Sequence, residues 1–205
     1  MQSNEPNTQE RILEAAQAEF LKRGFQAASL RTIVKTAGVT TGALYGYYAS
    51  KEALFDALVE ECYTHFLSAY RNALDDFDRL PIEQQPERMS TVSQACLEEL
   101  LFYMFNHREA FHLLLLCSEG THYSSMKEEL VQLEVNATHR YYLVLEKLGT
   151  PAPQIDPRLE HILVTGLMNA YFEMIIHDMP LADAQQYLRE LHSFYSAGWL
   201  KIMGQ

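Results

Sequence analysis

Residues 25–54 read FQAASLRTIVKTAGVTTGALYGYYASKEAL, and this stretch decides the fold. Ser29 is a helix-capping residue, and Leu30, Ile33, Val34 and Ala37 follow it at helical spacing, so a short helix is predicted over 30–37. Gly38 can take the left-handed conformation that ends a helix, Val39 plugs the core, and Thr40 caps the next segment. A second short helix is expected from Thr41 to about Tyr48, with Ser50 capping a third. Two capped helices joined through Ala37, Gly38, Val39 and Thr40 form a helix-turn-helix, which lays its second helix in the major groove of DNA. A plain corner between two helices carries similar caps, so the turn alone leaves both readings open.

Working outward, nearly every segment has helical period. Asn7 and Glu10 stand at capping-box spacing before Ile12, Leu13, Ala16 and Phe20, and that helix stops near Gly24. A long helix after Ser50 repeats Leu54, Leu58, Tyr63, Phe66, Tyr70, Leu74 and Phe77. Pro81 and Pro86 mark a break, and helices are expected over roughly 87–106, 109–118 and 122–148. A second break, LGTPAPQIDP at 148–157, precedes helices at about 157–177 and 181–203. The expected fold is all-α with about nine helices: a three-helix head with a helix-turn-helix over 1–51, and a helical bundle over 52–205.

Composition agrees. Seven prolines and nine glycines in 205 residues are too few for a turn-rich β-sandwich. Cys62, Cys96 and Cys117 are odd in number and far apart, which suggests neither a zinc site nor a disulfide framework and suits a reducing cytosol. The polar start and the short apolar runs predict no signal peptide and no membrane span, hence a cytoplasmic protein. The net charge of −11 argues against nucleic acid until it is divided. Residues 1–51 hold six Lys/Arg against four acids, a balance of +2, and 52–205 carry −13. A weakly basic head on an acidic body orients itself on a polyanion.

The segment closely resembles the DNA-binding region of the TetR (tetracycline-repressor) family. The resemblance rests on Gly24-Phe25, Ile33, Ala37-Gly38-Val39, Leu44-Tyr45, Tyr47-Tyr48 and Ser50-Lys51, and covers about the first quarter of the chain. Val34 stands where the family usually has alanine and Tyr48 where it has phenylalanine, both core positions. It implies a ligand-responsive transcriptional regulator, usually a repressor, that binds a palindromic operator as a homodimer and is released by a small-molecule inducer.

Within the second short helix, Leu44 and Tyr48 share one face and should point inward. The opposite face centres on Gly42 and Gly46, flanked by Ala43 and Tyr45. Two glycines there permit close approach to base edges and weaken the helix by about 1 kcal/mol each. Thr41 and Tyr45 suit base edges, Ala43 or a threonine methyl suits thymine methyls, and Thr40 opens the helix. By comparison with the family, Tyr47, Lys51, Ser29 and Arg31 are assigned to phosphates. Taken alone, Tyr47 could be a surface aromatic and Lys51 a solvated lysine.

Candidate ligand residues in the bundle are Tyr63, Phe66, Tyr70, Phe102, Phe105, His112, His139, Tyr142, Met168 and Phe172, an aromatic and methionine-rich set that could equally be core. The effector expected there is partly apolar. The family pairs its last two helices with those of a second subunit, and Leu163, Gly166, Ala170, Met174, Leu188, Leu191 and Tyr195 are the corresponding candidates, again with a core reading beside it. No metal-ligand spacing occurs among the eight histidines, and no cofactor is expected. A helical-bundle enzyme and a DNA-binding architectural protein without a ligand are the competing classes.

Overall fold

The structure, a computed structural model, describes residues 7–204. The polar opening at 1–6, read above as carrying no signal peptide, lies outside the described residues, as does Gln205. Among the described residues the chain is all-helical, with nine α-helices and no strand. They are α1 (Thr8–Ala27), α2 (Leu30–Ala37), α3 (Thr41–Tyr47), α4 (Lys51–Asp78), α5 (Gln85–Asn106), α6 (Arg108–His112), α7 (Met126–Lys147), α8 (Pro157–Ile176) and α9 (Leu181–Ile202).

Local chemistry accounts for most boundaries. Asn7 accepts from the Glu10 amide while the Glu10 carboxylate accepts from the Asn7 amide, the reciprocal cap expected. Gly24 takes φ 72°, ψ 164°, so α1 kinks at the stop expected there and then continues for one further turn to Ala27. Ser50 Oγ accepts from the Ala53 amide at 3.1 Å and caps α4.

Two boundaries differ from expectation. The helix expected over 109–118 is α6 followed by a π-helical turn, Leu113–Cys117, where Ser118 Oγ donates to the Leu114 carbonyl at 2.6 Å. The helix expected from 122 begins as a 3₁₀ turn, His122–Ser125, before α7.

The chain divides into two compact units, and the division falls inside α4. Unit 1 takes the described residues up to Thr64 together with His107–Ser124. Here α1 packs on α2 and on the π-helical turn. Its core is aromatic: Phe55 meets Phe20 edge-on at 5.0 Å and Phe25 at 5.3 Å, and the buried Tyr123 lies 5.9 Å from Phe55. The Tyr123 hydroxyl is within hydrogen-bonding reach of both Asp56 and Glu60, so it ties the 3₁₀ turn to α4.

Unit 2 takes His65–Asn106 and the chain from Ser125 onward. In it α7 packs on α8, α5 on α9, and α8 on α9. Phe172, Met174, Ile175 and Leu188 are fully enclosed, and Tyr171 donates to the Leu97 carbonyl at 2.8 Å. Tyr141, Leu145 and Met203 form a buried cluster of their own, with Phe77 and Trp199 packed against it.

Candidate nucleic-acid interface and sensing cavity

In unit 1, α2 and α3 form the turn that the sequence specifies. Gly38 sits at φ 64°, ψ 36°, and the Val39 amide donates to the Val34 carbonyl at 3.1 Å, closing α2. Thr40 Oγ1 accepts from the Ala43 amide at 3.1 Å and Ser29 Oγ from the Thr32 amide at 3.4 Å, so both caps are made. Leu44 is completely buried and Tyr48 nearly so, with the Tyr48 hydroxyl accepting from Gln9 at 3.2 Å. Burying that face obliges the opposite one to look outward.

The outward face carries the candidates. Thr41, Gly42 and Gly46 are exposed, Ala43 is half-buried, and Tyr45 and Tyr47 are 51% and 50% exposed. A methyl group built on Gly46 would meet nothing within 4 Å, and one on Gly42 only Thr40 Oγ1 at 3.9 Å. Neither glycine is therefore demanded by the chain's own packing. Arg31 is exposed at the start of α2 and Ser29 is half-buried beside it.

Lys51 is placed differently from a free phosphate-seeking side chain. Its ammonium donates to the carbonyls of Gln26 and Ala28 at 3.0 and 3.2 Å and stands 4.8 Å from the centre of the Phe25 ring. It fastens the start of α4 to the end of α1, with one N–H remaining for an outside acceptor.

In unit 2 a cavity of about 100 Å³ opens among α4, α5 and α7, walled by Tyr70, Phe77, Met89, Leu97 and Tyr141 with Ser93, Cys96, Glu134 and Thr138 as its polar groups. A second of similar volume shares Glu134 and Thr138 and extends to His192, Tyr195 and Trp199 of α9. Tyr70 donates to Glu134 Oε2 at 2.5 Å. Burial pushes the Glu134 carboxyl above its ordinary range, opposed by the Tyr70 hydrogen bond and the Arg140 charge. Burial also raises the Cys96 thiol to about 12, which keeps it protonated.

Of the ten residues proposed for a ligand, Tyr70 lines this cavity. Phe66, Met168 and Phe172 are buried core of unit 2, with the Phe66 and Phe172 rings 5.9 Å apart. Phe102 is 55% exposed, and Phe105 and Tyr142 are half-buried. Tyr63 and His112 belong to unit 1, where Tyr63 meets Tyr123 edge-on at 5.0 Å. His139 is largely exposed and pairs at 2.8 Å with the buried Glu160.

Residues that sequence reasoning missed are Glu134, Thr138 and Tyr141. Their signal was available: Leu130, Glu134, Ala137, Thr138, Tyr141 and Leu145 recur on one face of α7, which sets an acid on an apolar stripe.

Of the seven residues proposed for a dimer seam, Met174 and Leu188 are fully enclosed within the protomer and hold its own core. Leu163, Gly166, Ala170, Leu191 and Tyr195 are half-buried, and Tyr195 packs so closely on Gly166 that a Cβ there would lie 2.8 Å from its hydroxyl. The exposed large apolar residues of α8 and α9 include Leu159, Ile162 and Phe194, at 46%, 63% and 74%, with Tyr187 at 38%.

Residues 12–58 match the family of bacterial regulatory proteins designated tetR. The HTH-type transcriptional regulator UidR of Escherichia coli K12 is 35% identical over 75 residues, which are 37% of this chain and 38% of that one. The HTH-type transcriptional repressor KstR2 of Mycobacterium tuberculosis H37Rv is 38% identical over 64 residues, 31% of this chain and 32% of its own. The match thus spans about a third of each relative. Over most of the chain the likeness is one of fold. NalD of Pseudomonas aeruginosa, the secondary repressor of the MexAB-OprM multidrug efflux pump, superposes on 90% of this chain and 93% of its own with a TM-score of 0.53 at 23% identity.

Proposed function

The chain belongs to the TetR family of bacterial regulatory proteins, and from that premise we propose that it is a cytoplasmic transcriptional repressor gripping a palindromic operator as a homodimer. The observation that carries this reading is the outer face of α3. Two glycines, on which an added methyl would meet nothing closer than 3.9 Å, and three exposed side chains, Thr41, Tyr45 and Tyr47, stand on a helix whose other face is locked by Leu44 and Tyr48. Thr41, Ala43 and Tyr45 read base edges; Ser29, Arg31, Tyr47 and the remaining N–H of Lys51 meet phosphates. Thr40 holds the start of the recognition helix, and the small Gly42 and Gly46 let its backbone come close.

Residues 1–51 act as the DNA-binding head, and 52–205 sense a small molecule and hold the dimer. α4 supports a link between the two jobs, because it is one uninterrupted helix. Its first residue, Lys51, is bonded to Gln26 and Ala28, and its later residues Tyr70, Ala73, Leu74 and Phe77 line the cavity. A ligand that displaces the far part of α4 changes the spacing of two recognition helices, which a rigid duplex tolerates poorly. Moving a DNA-bound population from about 99:1 to 1:99 needs a differential ligand affinity of about 5.5 kcal/mol between the two states.

Selection of bound duplexes from a random pool, followed by anisotropy titration, tests the reading. The selected sequences should be inverted repeats with half-sites about one DNA turn apart. Affinity should fall steeply with added salt. Failure to bind any duplex at low ionic strength overturns it.

A further inference from the structure

The cavity among α4, α5 and α7 carries a chemical bias. Its walls are apolar and aromatic, and Glu134 is the one charged side chain among the residues that line it. The adjoining cavity shares Met89, Ser93, Leu97, Glu134, Thr138 and Met203 with the first, so Glu134 stands on their common wall. The second adds His192, whose imidazole burial drives toward the neutral form. Neither lining includes lysine or arginine. Arg140, the cation that acts on Glu134 from a distance, lines neither cavity and is paired with Asp78.

We propose that this cavity receives a small amphipathic cation, an aromatic or alkyl ammonium, with Glu134 as its counter-charge. The proposal rests on the sensing role argued above and adds the class of ligand. Tyr70 occupies Glu134 Oε2, and among the described residues no hydrogen bond reaches Oε1, which is the oxygen offered to an ammonium group. Glu134 is half-buried; a carboxylate partly withdrawn from water gains from an incoming cation, whereas an anion adds repulsion. Tyr70, Phe77 and Tyr141 line the cavity, and aromatic rings attract a cation's charge and receive its apolar part. A cavity of about 150 Å³ holds benzene, so about 100 Å³ adjoined by a second space of similar volume suits a single ring or a short chain. Because Tyr70 is on α4 and bonded to the same carboxylate, occupancy registers on that helix.

Three probes of nearly equal size and different charge test this: benzylammonium, benzyl alcohol and benzoate. Trp199 is the chain's one tryptophan and lines the adjoining cavity, so its emission reports occupancy, with thermal shift as a second readout. In the wild-type protein at neutral pH, benzylammonium should bind about tenfold tighter than benzyl alcohol, with benzoate weakest. In Glu134→Gln, whose amide oxygen can still accept from Tyr70, the first two should become equal within about threefold.

Equal binding of benzylammonium and benzyl alcohol by the wild type, tighter binding of benzoate, or a gap that survives in the variant overturns the cationic class while leaving a sensing cavity. Failure of all three probes at millimolar concentration overturns the cavity's sensing role itself. The order in the wild type decides the matter even if the variant does not fold.

Discussion

The ammonium of Lys51 stands 4.8 Å above the Phe25 ring and donates to the carbonyls of Gln26 and Ala28, so one side chain ends α1 and begins α4. Lys51→Met keeps the stem and removes the charge. It should cost about 1–2 kcal/mol in urea unfolding, from the lost charge-assisted hydrogen bonds and the ring contact. In the role proposed for it Lys51 meets phosphate and reads no base, so affinity for every duplex should fall alike. Loss confined to particular operator positions contradicts the assignment.

Gly46 and Gly38 lie eight positions apart and should respond to alanine in opposite ways. At Gly46 the new methyl meets open space, so Gly46→Ala should stabilise α3 by up to about 1 kcal/mol while weakening operator binding, since the methyl stands between backbone and bases. At Gly38, φ is +64°, and Gly38→Ala should destabilise by about 1 kcal/mol or more. Paired denaturation and anisotropy measurements check both signs. A Gly46→Ala protein that binds operator as tightly as wild type removes the close-approach argument.

The starts of α1 to α4 were legible in the sequence because their signals are local. Asn7 with Glu10, Ser29, Thr40 and Ser50 are caps whose partners lie three residues away, and each bond is made. What escaped was set by distant partners. The work of Lys51 depends on carbonyls more than twenty residues earlier, which no periodicity reveals. The cavity escaped for a related reason. Aromatic residues at helical spacing look alike whether they wall a cavity, as Tyr70 does, fill the core, as Phe172 does, or lie exposed, as Phe102 does. The sharper clue was an acid on an inward stripe, Glu134.

Ile162 and Phe194 are 63% and 74% exposed, whereas Met174 and Leu188 on the same two helices are fully enclosed. Replacing Ile162 and Phe194 together by aspartate should therefore leave the protomer folded and abolish the proposed dimer, seen as a halved mass in sedimentation. Operator affinity should fall with it, since one head reads one half-site. Met174→Ala or Leu188→Ala should instead cost about 2–5 kcal/mol of stability through core truncation and leave the dimer in place. A double aspartate variant that remains dimeric sinks this assignment of the seam.

Two carboxyls should shape the pH dependence of stability with opposite signs. The hydrogen bond from Tyr123 holds Glu60 below its ordinary value of 4.5, so its contribution is complete above that value and is lost as pH falls through the lowered folded value. Glu134 is raised above 4.5, chiefly by burial, so the folded protein holds its proton more tightly than the unfolded chain. Its effect runs the other way: any advantage present in acid disappears as pH rises from 4.5 through the raised value. Urea unfolding across the acid-to-neutral range separates the two. Glu60→Gln should flatten the acid limb, and Glu134→Gln should gain on wild type as neutrality is approached. A Glu134→Gln protein offset from wild type by the same amount at every pH refutes a buried, ionising carboxyl, and an unchanged acid limb in Glu60→Gln refutes the Tyr123 tie.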